Sequence, residues 1–219
     1  MDGLILARWT YRASTDETAV VLPDGCRDLV LAEAPGERPS LFLTALDSAP
    51  RTVRVPAGSV LTGLRLRPGA RLRADLLRTM GEDERLDLMS GGVDPAAIAA
   101  IEPDLEEALQ ALAAGQDRTG AVAAQLGVSD RTLRRLVVAG TGRPPKWWQR
   151  LARARRAVLT LAEPPDPGRT LADIAYALGF ADQAHLSREL KLWFGVTPRA
   201  VMARPAAADL LQAPGYGSD

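Results

Sequence analysis

The sequence predicts an α+β protein in two parts, a small antiparallel β-barrel or sandwich followed by an all-α domain. Three observations carry this. Short β-like runs separated by turn residues fill residues 4–67, helical periodicity governs the chain from residue 104 to 204, and part of that helical stretch occurs twice. The zero net charge conceals a matching division. Residues 1–115 hold 12 Arg against 18 Asp and Glu, whereas 116–204 hold 15 Lys and Arg against 7 Asp and Glu. A basic segment beside an acidic one suits a polyanion-binding module joined to something else.

Six strand candidates come first: 4–12, 18–22, 27–33, 40–46, 51–55 and 59–67. Between them lie PDG (23–25), APGERP (34–39) and PAG (56–58), whose Pro, Asp and Gly favour turns. ARLRADLLRTM (70–80) has helical spacing, and SGGVDP (90–95) is the clearest break, with Asp94-Pro95 suited to a helix start. In DLEEALQALAAG (104–115), Leu105, Leu109 and Leu112 share one face and Gly115 is the stop. That face can pack on its own domain or pair across a homodimer. The expected organisation is therefore a β-rich domain over 1–92, linker helices over 93–115, a basic helical domain over 116–204 and a flexible tail over 205–219.

The repeat sharpens the helical part. VAAQLGVSDRTLRRLVVAGTGRPP (122–145) aligns with IAYALGFADQAHLSRELKLWFGVTP (174–198). Leu126 meets Leu178, Gly127 meets Gly179 and, after one inserted residue, Leu133 meets Leu186, Arg135 meets Arg188 and Gly142 meets Gly195. Each copy reads as a short helix, a glycine turn and a second helix, which is helix-turn-helix grammar. Ser129 suits an N-cap, and Thr170 with Asp173 a capping box.

On these residues the segment 105–204 resembles the AraC/XylS family of transcriptional regulators, whose DNA-binding domain is two helix-turn-helix units joined by a long helix. IAYALGFADQAHLSRELKLWFGVTPRAV (174–201) carries most of the likeness, with the Arg-rich joining helix PKWWQRLARARRAVLTLA (145–162). The first copy departs at VVAGTG (137–142), which replaces an aromatic-bearing helix end, so looser docking is expected there. VVLPDGCRDLVL (20–31) and GLRLRPGA (63–70) resemble a short, cupin-like β-rich domain found ahead of such readers.

The resemblance implies a sequence-specific reader of double-stranded DNA. Arg131, Arg134, Arg135 in the first copy and Gln183, Ala184, Ser187, Arg188 in the second occupy the base-reading positions, with His185 beside them. The residue types suit the role: Arg pairs with guanine, Gln with adenine, and a methyl meets thymine in a major groove. Leu186, Leu190 and Trp193 fall on the opposite, core-facing stripe. Arg150, Arg153, Arg155 and Arg156 of the joining helix are expected to add phosphate contacts or, for some of them, to be ordinary surface charge, and Trp147 and Trp148 to wedge that helix against both units. RNA polymerase, a small-molecule effector and a second copy of the chain are the further partners implied. Asp24, Asp28 and Arg65 are placed to line a small polar effector pocket, or else to form a salt-bridge set securing a minimal barrel.

Other chemistry is poorly supplied. Cys26 and His185 are the single Cys and His, which excludes an intramolecular disulfide and a Cys/His zinc site within one chain. No catalytic residue, metal or cofactor is therefore assigned, and the protein is not expected to be an enzyme. The start MDGLILARWTYRASTDE lacks a leader pattern and there is no apolar run of membrane-spanning length, so a cytoplasmic location is expected and no membrane partner. Two other classes are weighed: an alkyl-transfer DNA-repair enzyme carrying the same reader, which would need more cysteines, and a protein-interaction adaptor, which would lack steep salt-dependent binding to duplex DNA.

Overall fold

The computed structural model describes residues 3–114, 118–164 and 168–204; the expected tail over 205–219 and the Gly115 stop lie outside the described residues. Eight strands and ten helices follow one another within these residues. Strands β1 (Ile5–Arg12), β2 (Glu17–Val21), β3 (Arg27–Glu33), β4 (Ser40–Leu43), β5 (Arg51–Val55) and β6 (Val60–Leu66) match the six runs legible in the sequence.

The strands form an antiparallel sheet in the order β1-β6-β3-β4 and a separate β2-β5 ribbon. The two pieces face each other without closing into a barrel. Alternation along the strands sorts the side chains. Leu29, Leu31 and Leu64 are buried on one face, against Leu88, Met89 and Ile98. Asp28, Val30, Leu61 and Arg65 line a cavity of about 450 Å³ between the opposite face and the ribbon. Trp9 of β1 stands opposite Gly63 of β6, and its indole occupies the space a Cβ at position 63 would need.

The segment 70–80 corrects the helical expectation. Gly69 (φ 86°) turns the chain sharply after β6, and Arg71–Leu72 then forms β7, which pairs with β8 at Ala99–Ala100. Only Ala74–Thr79 is helical, as α1. Helix α2 (Glu82–Ser90), missed by periodicity, opens with Glu82, Asp83 and Glu84, acidic residues favoured at the positive end of a helix. Arg8 Nη1 donates to the carbonyls of Leu88 and Met89, capping its far end. Helix α3 (Pro95–Ile98) begins at the expected proline and delivers the chain to β8.

Helix α4 (Pro103–Ala113) buries Leu105, Ala108, Leu109 and Leu112 inside its own chain. Five helices then build the paired units around α7: α5 (Thr119–Gln125), α6 (Asp130–Thr141), α7 (Pro145–Ala162), α8 (Leu171–Ala177) and α9 (Gln183–Phe194); α10 (Pro198–Ala203) packs back on α7 and α9. Leu46 of the β-rich half belongs to the same core as these helices. Arg143 Nη2 donates to Leu46 O at 2.9 Å and Trp147 Nε1 to Ser48 Oγ at 3.2 Å, docking the loop between β4 and β5 on the helical half.

Gly63→Ala is expected to lower stability by about 1–3 kcal/mol, because the added methyl overpacks against a rigid indole. Urea unfolding of the full chain measures it, and an unchanged midpoint would show that Trp9 yields freely.

Candidate nucleic-acid interface

Each unit is assembled by local chemistry. In the first, Gly127 (φ 67°) ends α5 and Ser129 Oγ accepts from Thr132 N to start α6. In the second, Thr170 and Asp173 form a reciprocal capping box on α8, and Gly179 (φ 75°) makes the turn. Asp182 then caps α9 by accepting from His185 N at 2.6 Å. The equivalent positions Gly142 and Gly195 close α6 and α9 with left-handed caps, φ 75° and 71°.

The second helix of each unit divides cleanly between core and solvent. Leu133 and Val137 of α6, and Leu186, Leu190 and Trp193 of α9, are buried. Arg131, Arg134 and Arg135 are exposed along α6; Gln183, Ala184, Arg188 and Lys191 are exposed along α9, with Ser187 half-buried among them. Ser187 Oγ donates to Gln183 O, leaving its lone pairs outward. His185 differs from these neighbours. Its Nδ1 accepts from Ala181 N at 3.2 Å, its ring meets Phe180 edge-on, and Nε2 lies 3.9 Å from Glu189. The ring thus serves the turn rather than the exposed stripe.

Of the joining-helix arginines, Arg155 requires correction. Arg155 is fully buried and interacts with the charges of Asp24 and Arg65 in the β-rich half, so it cannot touch a phosphate. Arg156 donates to Ala113 O, Arg153 to Gly179 O while lying over the Phe180 ring, and Arg150 forms two hydrogen bonds to Glu189. These three cations are half-buried and bond α7 to its neighbours. Trp148 Nε1 donates to Thr141 Oγ1 at the end of α6, while Trp147 packs edge-on to Trp193 of α9, so the two tryptophans wedge α7 against both units.

At VVAGTG, a Cβ at Gly140 would overlap Leu105, so this glycine lets α6 lie directly on α4. Small size replaces aromatic bulk. Glu189 and Tyr176 were not singled out in the sequence. Glu189 is buried and accepts from Arg150 and Trp193. Burial alone would raise its carboxyl, but Arg150's hydrogen bonds and charge, with the Trp193 bond, hold it below the usual range. An acidic residue amid a core stripe was the available signal. Tyr176 is 84% exposed on α8, beside the exposed stripe of α9 in sequence.

In the β-rich half, Arg65 Nη2 meets Asp24 Oδ2 at 2.9 Å and Nε meets Asp28 Oδ1 at 3.2 Å. All three line the 450 Å³ cavity, so pocket and salt-bridge set coincide. Asp24 Oδ1 accepts from Cys26 N across the turn. Burial raises Asp24 despite the opposing charge of Arg65. Cys26 is buried, and burial followed by the charge of Asp24 drives its thiol far up, leaving it unreactive.

Two capped helical pairs on a shared central helix define a tandem helix-turn-helix domain. Residues 122–204 match the family model described as a helix-turn-helix domain. The HTH-type transcriptional regulator VirS of Mycobacterium tuberculosis is 39% identical over 92 residues, covering 42% of this chain and 26% of VirS. The chain thus spans about a quarter of the length of the curated relatives it matches. A solved AraC-type transcriptional regulator from Chromobacterium violaceum is 30% identical, with 48% of this chain and 93% of that one covered and a TM-score of 0.42. ToxT of Vibrio cholerae O395 is 12% identical over 90% of this chain and 96% of its own, with a TM-score of 0.46. Residues 122–204 are similar to that helix-turn-helix family.

Glu189→Gln is expected to cost about 1–3 kcal/mol at neutral pH, less than a fully buried pair because the Arg150 side chain stays 33% exposed. A carboxyl depressed in the folded state stabilises above its unfolded value and loses that contribution as pH falls through the folded one. The wild-type advantage should therefore fade from about pH 5 downward. Denaturant melts of both proteins across pH measure this; a pH-independent difference would mean the ionic pairing contributes nothing.

Proposed function

We propose that the protein is a transcription regulator in which the helical half reads duplex DNA, with α6 and α9 in successive major grooves. The observation that carries this is the pair of like-built units on one shared helix, each leaving a polar, arginine-bearing stripe exposed on its second helix. An 18-residue α7 is about 27 Å long at 1.5 Å per residue. That length is comparable with the spacing of about 34 Å between successive major grooves on one DNA face. In this reading Arg131, Arg134, Arg135, Gln183, Ala184, Ser187 and Arg188 face base edges or adjacent phosphates. His185 acts from behind by fixing the turn before α9.

In-vitro selection from a random duplex library tests the reading, and a recovered motif then serves for variants. Arg188→Ala and Arg135→Ala occupy equivalent positions, and each should cost about 1–3 kcal/mol on the selected site and relax preference at one base pair. The two losses should fall about one helical turn apart. A uniform loss on all sequences, with a salt slope lowered by about one, would assign that arginine to phosphate instead. No recovered motif would overturn the function.

We further propose that a small-molecule effector occupies the cavity between the four-stranded sheet and the ribbon. Its volume of about 450 Å³ lies in the range of ligand sites, which combine mostly apolar walls with a few polar groups. Asp24, Asp28 and Arg65 supply that polar set, and the charge of Asp24 reaches Arg155 of α7. A ligand found by thermal-shift screening should lose most of its stabilisation in Arg65→Ala. Undiminished stabilisation would place the ligand elsewhere.

A further inference from the structure

A second cavity, of about 200 Å³, lies at the seam between the β-rich half and the first helix-turn-helix unit. Arg27, Arg67 and Arg71 line it from the strand side, the end of α6 closes it from the other, and no carboxylate is among its lining residues. Arg67 reaches Glu106 at 3.4 Å, and Arg71 donates to Ala139 O. Arg27 makes no ion pair among the described residues. Three guanidinium groups therefore share one small space with a single carboxylate in ionic contact.

The chemistry of the lining points to an anion. Arginine forks match the spacing of oxyanion oxygens and bond them in pairs. The carbonyl end of α6 faces the cavity with the wrong sign for an anion. That half-charge is small beside three full ones, and Arg71 already covers the Ala139 carbonyl.

We propose that this cavity binds a small multivalent oxyanion, a phosphate or a di- or tricarboxylate, which bridges the β-rich half to the end of α6. The volume is below that of typical drug-sized ligand sites and admits only such a compact anion. Bound there, the anion offsets the charge of the three arginines and ties the turn at Gly69 to the first unit. The site stands apart from both the exposed stripes and the effector cavity, so it does not depend on the DNA-reading proposal.

Isothermal titration of the full chain with orthophosphate and with citrate, each at ionic strength matched by sodium chloride, tests this. One saturable site per chain is expected, and whichever anion binds more tightly names the chemistry. Arg27→Gln should weaken binding roughly tenfold or more, as expected for losing a charge-assisted bond. Arg27→Lys should recover part of it, and Arg12→Gln, remote on β1, should change nothing. Thermal melts confirm that Arg27→Gln is folded. Duplex-DNA binding by Arg27→Gln, measured in phosphate-free buffer, should match wild type. Absence of saturable binding by both anions, equal affinity in Arg27→Gln, or equal loss in Arg12→Gln would overturn the proposal. So would loss of DNA binding by Arg27→Gln without anion binding in wild type, which would make these arginines DNA-backbone contacts and leave the reading function standing.

Discussion

The burial of one face of α7, from Trp148 to Leu161, is the constraint on which the rest of the molecule depends. Trp148, Leu151, Ala152, Ala154, Ala157, Val158 and Leu161 are all withdrawn from solvent, although the helix carries four arginines. Alanines at 152, 154 and 157 let α4, α6, α9 and α10 approach its backbone together. The long side chains are then forced into specific bonds, because a buried cation without a partner is costly. Arg150 finds Glu189 on α9, Arg153 the turn carbonyl of Gly179, and Arg156 the end of α4. Each bond fixes one neighbour relative to the same axis. The spacing of the two exposed stripes is set by this single helix and its cations.

This use of arginine changes what the charge division means. The helical half has an excess of basic residues, but five of its arginines, 143, 150, 153, 155 and 156, are committed to internal contacts. The cations left outward include Arg131, Arg134, Arg135, Arg188 and Lys191 on the second helices of the two units, with Arg118, Lys146, Arg169, Arg199 and Arg204 exposed elsewhere. About half of the exposed positive charge of this half therefore lies on those two helices. A surface reader needs this arrangement, with the charge concentrated where side chains can also meet base edges.

Local signals made much of the fold legible. Six strands were marked by turn residues, and the two units by Gly127, Gly179 and the leucines behind them, because turns and amphipathic stripes are written in adjacent residues. The strand at Arg71–Leu72 was not legible: its partner, Ala99–Ala100, is contributed by a distant part of the chain, and the short stretch otherwise looks helical. Helix α2 was hidden for the opposite reason, having almost no amphipathic contrast, with Leu86 exposed and only Leu88 and Met89 buried. For the candidate interface, the exposed stripes were readable from spacing. The fate of the α7 arginines was not, since an Arg-rich face reads as surface until three-dimensional packing encloses it. Glu189 was obscured likewise by its partner lying on another helix.

The joint between the halves follows from the same packing. Arg155 lies on the side of α7 that meets the β-rich half, where the charge of Asp24 attracts it and that of Arg65 opposes it. Asp24 also bonds Arg65 and lines the large cavity. The floor of that cavity and the axis of the helical half therefore share one electrostatic field in a low-dielectric seam, where a charge change is felt strongly. Around it, Arg143 and Trp147 bond the loop between β4 and β5 through Leu46 and Ser48, while Gly69 lies against Leu109 of α4. The polar bonds fix the orientation of one half on the other, and the apolar contact at α4 supplies the burial. Both sets of contacts converge on α4 and α7, which also support the two units. A displacement of the strands could not leave that seam without disturbing the helices that set the separation of the two stripes.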